Sequence, residues 1–252
     1  MTNQSVEEMD GVHDVMIRKL QAHSVLSPED TAAVRMLPSQ TRTAAAGEDL
    51  IRQGDRADAS MIVLSGMLAR YHTLKGGGRQ YLSFHIAGDW PEAQSLFLER
   101  MDHAIGAMNA VAVAVVPHRR IMALFQRMPS LGFAIWRETL IDAAIFRESI
   151  TNIGKREITA RLAHFLCEIF YRAKAAGLVK DDTCDLPLSQ TQIADALASS
   201  LTGINRAMQA LRKTQSFELR GGRLHIRNWR RLAEYGDFNP SYLHLRRPLR
   251  MS

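Results

Sequence analysis

The chain has only two cysteines, Cys167 and Cys184, in 252 residues. That argues against a disulfide scaffold and against an iron–sulfur cluster held wholly by this chain, which usually takes four thiolates. So few cysteines fit a reducing cytoplasm. No run of about 18 apolar residues occurs, so no membrane span and no membrane partner are expected. The opening stretch "MTNQSVEEMDGVHDVM" is acidic and has no apolar core, so it does not read as a secretory signal. The nine histidines are scattered without an H-E-x-x-H or comparable pair, so no metal is assigned. "KGGGR" (75–79) lacks the Lys-Ser/Thr of a phosphate loop and does not precede a helix. No nucleophile-and-base pairing or paired-acid motif stands out, so an enzyme is not expected. Internal repeats and low-complexity tracts are absent as well.

What is present is a globular composition, with 46% apolar residues, in a chain long enough for two domains. Its charge is uneven. Residues 155–252 carry 17 Lys+Arg against 9 Asp+Glu, whereas residues 1–154 carry 15 against 17. A basic C-terminal part points to a polyanion partner, the plainer reading being solvated surface charge.

Residues 6–22 and 28–37 read as short helices, the second started by "SPED" (27–30), with Ser27 as N-cap and Pro28 at the first helical position. From 41 to 118 glycines punctuate β-like runs: "MIVLSG" (61–66), "MLARYHTL" (67–74), "RQYLSFHI" (79–86) and "AIGAMNAVAVAVVP" (104–117). Short strands with glycine turns predict an antiparallel sandwich or barrel. Trp136, Leu140, Ala143, Phe146, Ile150 and Ile153 then recur at spacings of three and four, up to Gly154. Such a stripe serves either a helix packed on its own β domain or a helix paired with its twin in a homodimer. A further amphipathic helix spans 156–174, and a turn-rich loop, "DDTCDLP" (181–187), follows it.

"LSQTQIADALASSLTGINRAMQALRK" (188–213) contains two helical patterns. Ser189 with Gln192 makes a capping box, and Ile193, Ala194 and Leu197 form one apolar face. The second face is Ile204, Ala207, Met208 and Leu211, with Thr202, Asn205 and Arg206 near its start. A helix-turn-helix has this layout, because its second helix enters the major groove by the N-terminal end. "SFELRGGRLHIRNW" (216–229) alternates around Gly221-Gly222 as a β-hairpin, a wing carrying Arg220 and Arg223 toward a phosphate backbone.

This order resembles the Crp/Fnr family of bacterial transcription regulators over residues from about 20 to 243. The motifs that carry the resemblance are "LIRQGDRADASMIVLSG" (50–66), "GDW" (88–90), "SQTQIADALASSLTGINRAMQAL" and "LRGGRLHI". The tail "DFNPSYL" (237–243) is similar to that of an alphaproteobacterial branch. The resemblance implies an α+β chain: an N-terminal antiparallel β-roll (jelly-roll-like), a long dimerisation helix and a C-terminal winged helix-turn-helix. The expected divisions are 1–154, including the helix at about 131–153; 155–229; and a tail, 230–252. It further implies a cytoplasmic homodimer that binds double-stranded DNA at a palindrome and works with RNA polymerase. The half-sites would lie about one helical turn, roughly 34 Å, apart.

By position, the resemblance puts Ser189 and Thr191 on phosphates and turns Ser200, Thr202, Asn205 and Arg206 to the groove, with Arg206 on guanine. Leu201-Thr202 replaces the family's frequent Arg-Glu, so a different site should be read. Ala198 replaces its usual turn glycine, which only some strain or a slightly different turn permits. Cyclic-nucleotide members carry a Gly-Glu pair and a later Arg-Ser in the roll. Here Glu92 is one place off, His103 and Ala104 replace Arg-Ser, and Arg100 comes three residues early. A neutral imidazole replaces a fixed guanidinium poorly, so cyclic AMP binding in the usual way is not expected. The effector stays unknown and no cofactor is identified. Cys167 and Cys184 are either a buried apolar residue and an incidental loop residue, or a redox device. The alternative functions are a cyclic-nucleotide-binding regulatory protein and a non-specific nucleic-acid binder.

Overall fold

A computed structural model describes residues 4–251, with side chains from His13 onward. The chain divides into two compact units, residues 1–71 with 84–142, and residues 72–83 with 143–252.

The first unit opens with α1 (Gln4–His23) and α2 (Pro28–Arg35). Ser27 caps α2 as the sequence predicts: its hydroxyl accepts from the Asp30 N–H at 3.0 Å, and the Asp30 carboxylate accepts from the Ser27 N–H at 2.9 Å. The strands that follow in the chain are β1 (Gln40–Ala44), β2 (Asp49–Ile51), β3 (Ala59–Ser65), β4 (Leu68–Thr73), β5 (Arg79–His85), β6 (Ala104–Ala107) and β7 (Val111–Pro117), the end of β4 and most of β5 being counted with the second unit. They form two sheets, in the orders β1-β7-β3 and β2-β6-β4-β5. A short 3-10 turn, Ala93–Phe97, lies between β5 and β6.

Strands β3 and β7 are apolar on both faces because each face meets a different core. Met61, Val63, Val111 and Val113 join Leu68 and Ile105 inside the roll. Their alternates Ile62, Ala114 and Val116 meet Met16, Leu20, Ile121, Leu124, Leu131 and Ile135 under the helices. This two-sided burial explains runs that read as continuous rather than alternating. One sequence run, 104–117, is divided between the two sheets as β6 and β7. The chain turns at Asn109, whose side chain accepts from the Met67 N–H at 2.8 Å. Gly66 faces this turn at φ 80°, and a Cβ there would lie 2.5 Å from the Ala110 carbonyl oxygen, so only glycine fits.

The helices α3 (His118–Arg127) and α4 (Pro129–Lys155) follow, and α4 leads into the second unit. There α5 (Ile158–Ala175) is buried along its whole middle, from Leu162 to Ala173. Next come β8 (Thr183–Asp185), α6 (Gln190–Ala196), α7 (Leu201–Arg212), β9 (Phe217–Arg220), β10 (Arg223–Ile226) and α8 (Trp229–Tyr235). The segment 181–187, expected as a loop, contains β8, which pairs with β10 and makes the wing a three-stranded sheet in the order β8-β10-β9. A three-residue strand inside a turn-rich segment gives no strand signal alone; the partner strand supplies it.

The residues after 229 are folded against α5. Tyr242 donates to Glu168 at 2.8 Å, Phe238 meets the His164 ring edge-on, and Trp229 lies 5.9 Å from Tyr171. Gly236 approaches so closely that a Cβ would come within 2.5 Å of the His164 nitrogen.

A buried ionic group sits between α1, the 88–90 turn and α4. Lys19 Nζ is 2.9 Å from Asp89 and 3.6 Å from Glu138, and His23 Nε2 is 3.8 Å from Glu138. Burial pushes the Glu138 carboxyl up to about 7 from an ordinary 4.5, the Lys19 ammonium opposing. A raised carboxyl stabilises the fold below its unfolded value and loses that contribution as pH rises through about 7. Glu138→Gln should therefore flatten the fall in stability between pH 5 and 8 by about 2 to 3 kcal/mol. Urea denaturation at the two pH values measures this, and an unchanged pH slope in the variant would contradict it.

Candidate nucleic-acid interface

Helices α6 and α7 form the expected helix-turn-helix. Ser189 caps α6, accepting from the Gln192 N–H at 3.2 Å while the Gln192 side chain accepts from the Ser189 N–H at 2.8 Å. Ser200 caps α7, accepting from the Gly203 N–H at 3.0 Å. Both hydroxyls keep a proton to donate. Between the helices Ala198 takes φ 48°, and the Ser199 N–H bonds the Ala194 carbonyl at 3.0 Å, closing a Schellman turn. The alanine is thus held in the left-handed region where glycine is favoured.

Arg161 of α5 fixes this turn. Its Nη1 donates to the Leu197 carbonyl at 2.6 Å. Its Nη2 donates to the Ile153 carbonyl at 2.7 Å and to the Arg156 carbonyl at 3.2 Å. One guanidinium on α5 therefore joins the end of α4, the link that follows it and the turn that leads into α7. The sequence reading missed it, because an arginine on an amphipathic helix carries no sign of its partners.

Ile204, Ala207, Met208 and Leu211 bury one face of α7. Thr202 and Arg206 stand exposed on the other, with Asn205 half-buried beside them. Ser189, Thr191, Ser200, Arg220 and Arg223 are exposed too. Gln209 and Lys213, three and seven residues beyond Arg206, continue the exposed face and were not singled out from the sequence. Gly221 and Gly222 turn the wing at φ 58° and 74°, placing Arg220 and Arg223 opposite each other in the strand register.

In the roll, two of the three pocket residues meet. His103 Nε2 lies 3.2 Å from Glu92 Oε1, and Nδ1 lies 2.5 Å from Asp102. Glu92 is fully buried, and burial pushes its carboxyl above the ordinary range against the opposing pull of His103 and Arg70. Arg100 is elsewhere: it is exposed and donates to the Gly54 carbonyl at 2.9 Å. The missed residue is Arg70, only 2% exposed, whose Nη1 bonds Asp142 of α4 at 2.8 Å and whose Nη2 donates to the Pro91 carbonyl. Its signal was a charged residue inside the otherwise apolar start of β4.

Helix α4 has two apolar faces, so both readings of its stripe hold a part. Leu131, Ala134 and Ile135 pack into the roll's helical core. Trp136, Leu140 and Ile150 are 61%, 53% and 72% exposed, and Ala143, Phe146 and Ile153 are half-buried. Phe133, 67% exposed, extends the open face and was not anticipated. Both cysteines are buried; burial raises the Cys167 thiol strongly and pushes Cys184 up to about 12, so neither carries the thiolate that redox chemistry needs. Among the described residues no helix is long and apolar enough to cross a membrane.

A β-roll, a long helix and a basic winged helix-turn-helix together define a DNA-binding transcription regulator. Comparison with known proteins agrees. The model of the cyclic nucleotide-binding domain matches residues 41–128, and that of the Crp-like helix-turn-helix domain matches 160–235. The transcriptional activator protein FnrL of Cereibacter sphaeroides is 24% identical over 200 residues, covering 77% of this chain and 79% of the relative. The nitrogen fixation regulation protein FixK of Bradyrhizobium diazoefficiens is 25% identical over 198 residues, covering 77% of this chain and 81% of the relative. The solved structure of FixK2 from Bradyrhizobium japonicum matches the fold with a TM-score of 0.71 at 22% identity, over 79% of this chain and 98% of that one. The chain belongs to the Crp/Fnr family of transcription regulators, and like these relatives it is a regulator rather than an enzyme.

Ala198→Gly should raise the melting temperature, by the equivalent of about 1 kcal/mol, because it relieves a left-handed alanine. DNA affinity should stay unchanged, since no exposed residue of α7 is altered. A melting temperature that does not move would mean the turn carries no strain.

Proposed function

We propose that the chain acts as a homodimer that reads a palindromic DNA site in the cytoplasm, with α7 of each copy in the major groove. The observation that carries this reading is the exposed face of Thr202, Asn205 and Arg206 at the capped start of α7, flanked by the wing arginines. In it Arg206 pairs with guanine, and Thr202 and Asn205 contact neighbouring bases or phosphates. Ser189, Thr191 and Ser200 reach the backbone through side-chain hydroxyls, and Arg220 and Arg223 hold a flanking phosphate. The two recognition helices enter grooves about one turn apart.

The dimer reading rests on the open face of α4. Phe133, Trp136, Leu140 and Ile150 make a stripe too apolar to leave in water, and a second copy of the same helix covers it. The roll is read as an effector domain that does not take cyclic AMP, because Glu92 and His103 already pair with each other and Arg70 is engaged by Asp142 of α4. Contact with RNA polymerase is inferred from likeness to the activator of Cereibacter sphaeroides.

Selection from a random DNA pool by the ligand-free protein tests the reading and should return a palindrome. Arg206→Ala should relax one guanine position by about 1–3 kcal/mol and leave the others intact. Recovery only when cyclic AMP is added would overturn the view of the roll, and binding without sequence enrichment would overturn specific recognition. For the dimer, Leu140→Asp with Ile150→Asp should give monomers in sedimentation; a variant that stays dimeric would move the seam elsewhere.

A further inference from the structure

Helix α1 lies outside the matched cyclic nucleotide-binding domain, which begins at residue 41. Met16, Ile17 and Leu20 seat it in the core under the helices. Its last turns add a polar grip. Lys19 and His23 reach Glu138 of α4, Lys19 also reaches Asp89, and Arg137 Nη1 donates to the His23 carbonyl at 2.9 Å. The 88–90 turn sits close as well: a Cβ on Gly88 would lie 3.1 Å from the Val15 carbonyl oxygen. The grip is buried, with the Lys19, His23, Asp89 and Glu138 side chains 16%, 4%, 6% and 10% exposed. Its charges do not balance. Asp89 and Glu138 share one ammonium, so with His23 neutral one negative charge is in excess. The charges beyond it, Asp142 one turn along α4 and Arg70 of β4, pair with each other at 2.8 Å. The two carboxylates are served unequally. Asp89 lies 2.9 Å from Lys19 and accepts from the Ile86 N–H at 2.9 Å. Glu138 lies 3.6 Å from Lys19, and among the described residues its Oε1 accepts no hydrogen bond.

We propose that α1 is a proton-operated strap, its last turns clamped to the 88–90 turn and α4 while Glu138 is protonated and loosened when Glu138 ionises. A proton on Glu138 cancels the excess charge and leaves Lys19 to Asp89. Without it, two carboxylates compete for one ammonium away from water, and lifting the end of α1 lets water reach both. Burial sets the working range: it pushes the Glu138 carboxyl up to about 7, and exposure on lifting returns it toward the ordinary 4.5. The lifted form therefore gains as pH rises, until Glu138 is ionised in both forms. The strap grips α4 between Trp136 and Leu140, two members of its open apolar face, so a proton acts on the helix proposed above as the dimer seam. The strap itself needs neither DNA nor a second copy, so it stands or falls apart from the reading of function.

Hydrogen exchange of the 16–23 amides in the whole chain at pH 6 and 8, corrected for the intrinsic rate at each pH, tests this. In the wild type the opening equilibrium should be about tenfold larger at pH 8 than at pH 6. In Glu138→Gln, whose melting temperature checks its fold, it should be the same at both. Low urea separates the strap from global unfolding. The 16–23 amides should exchange at a rate independent of urea, and those of β7 at a rate that rises with it. An equal opening at both pH values in the wild type overturns the strap. So does a tenfold change that persists in Glu138→Gln, which would assign the proton to another group. A urea dependence as steep as that of β7 overturns it too, because only a loss of global stability would then remain.

Discussion

The geometry of the DNA-reading unit depends on one guanidinium. Arg161 donates to carbonyls of the α4 end, the link between α4 and α5 and the helix-turn-helix turn, at 2.7, 3.2 and 2.6 Å. Carbonyls at helix ends have no partner within their own helix, and a single planar fork satisfies three of them. The same contact holds Leu197 beside the strained Ala198, so the angle between α6 and α7 is set by α5 rather than by the turn alone. Because α5 is buried from Leu162 to Ala173, that angle is anchored in a packed core.

The roll is built on a comparable economy of polar groups. Arg70, Glu92 and His103 are buried at 2%, 0% and 4% exposure, and ionised groups persist at such depth only when paired. Arg70 spends its donors on Asp142 and the Pro91 carbonyl, and the His103 ring nitrogens lie within hydrogen-bond distance of Asp102 and Glu92. The interior of the roll is thus tied by ion pairs to α4, the helix whose other face is open. Helix α4 thus carries both the partner of a buried roll arginine and an exposed apolar stripe.

Much of this was legible in the order of residues. Ser27 before Pro28 and Ser189 with Gln192 announce helix starts, because a helix cap is a local exchange of hydrogen bonds needing nothing from the rest of the chain. The apolar periods of α5 and α7, the glycine-turned wing and the basic charge of the C-terminal part are local or compositional in the same way. The resemblance to the Crp/Fnr family rests on these signals, and the exposed positions along α7 follow from helical spacing.

Other features depend on contacts between distant residues. The run 104–117 belongs to two sheets only because the roll closes at Gly66 and Asn109. Strand β8 exists because β10 lies beside it, and Cys184 on it is buried, which holds its thiol protonated. Arg100 carries the right charge near the right place, yet folding sends it to Gly54, while Arg70, more than twenty residues earlier, fills the interior. Sequence alone therefore determined where the helices and the wing hairpin form and which of their faces stay polar, since both depend on neighbours within a turn or a strand. The tertiary structure decided which charges are buried together and which guanidinium aims the reading helix, because burial is a property of the whole fold.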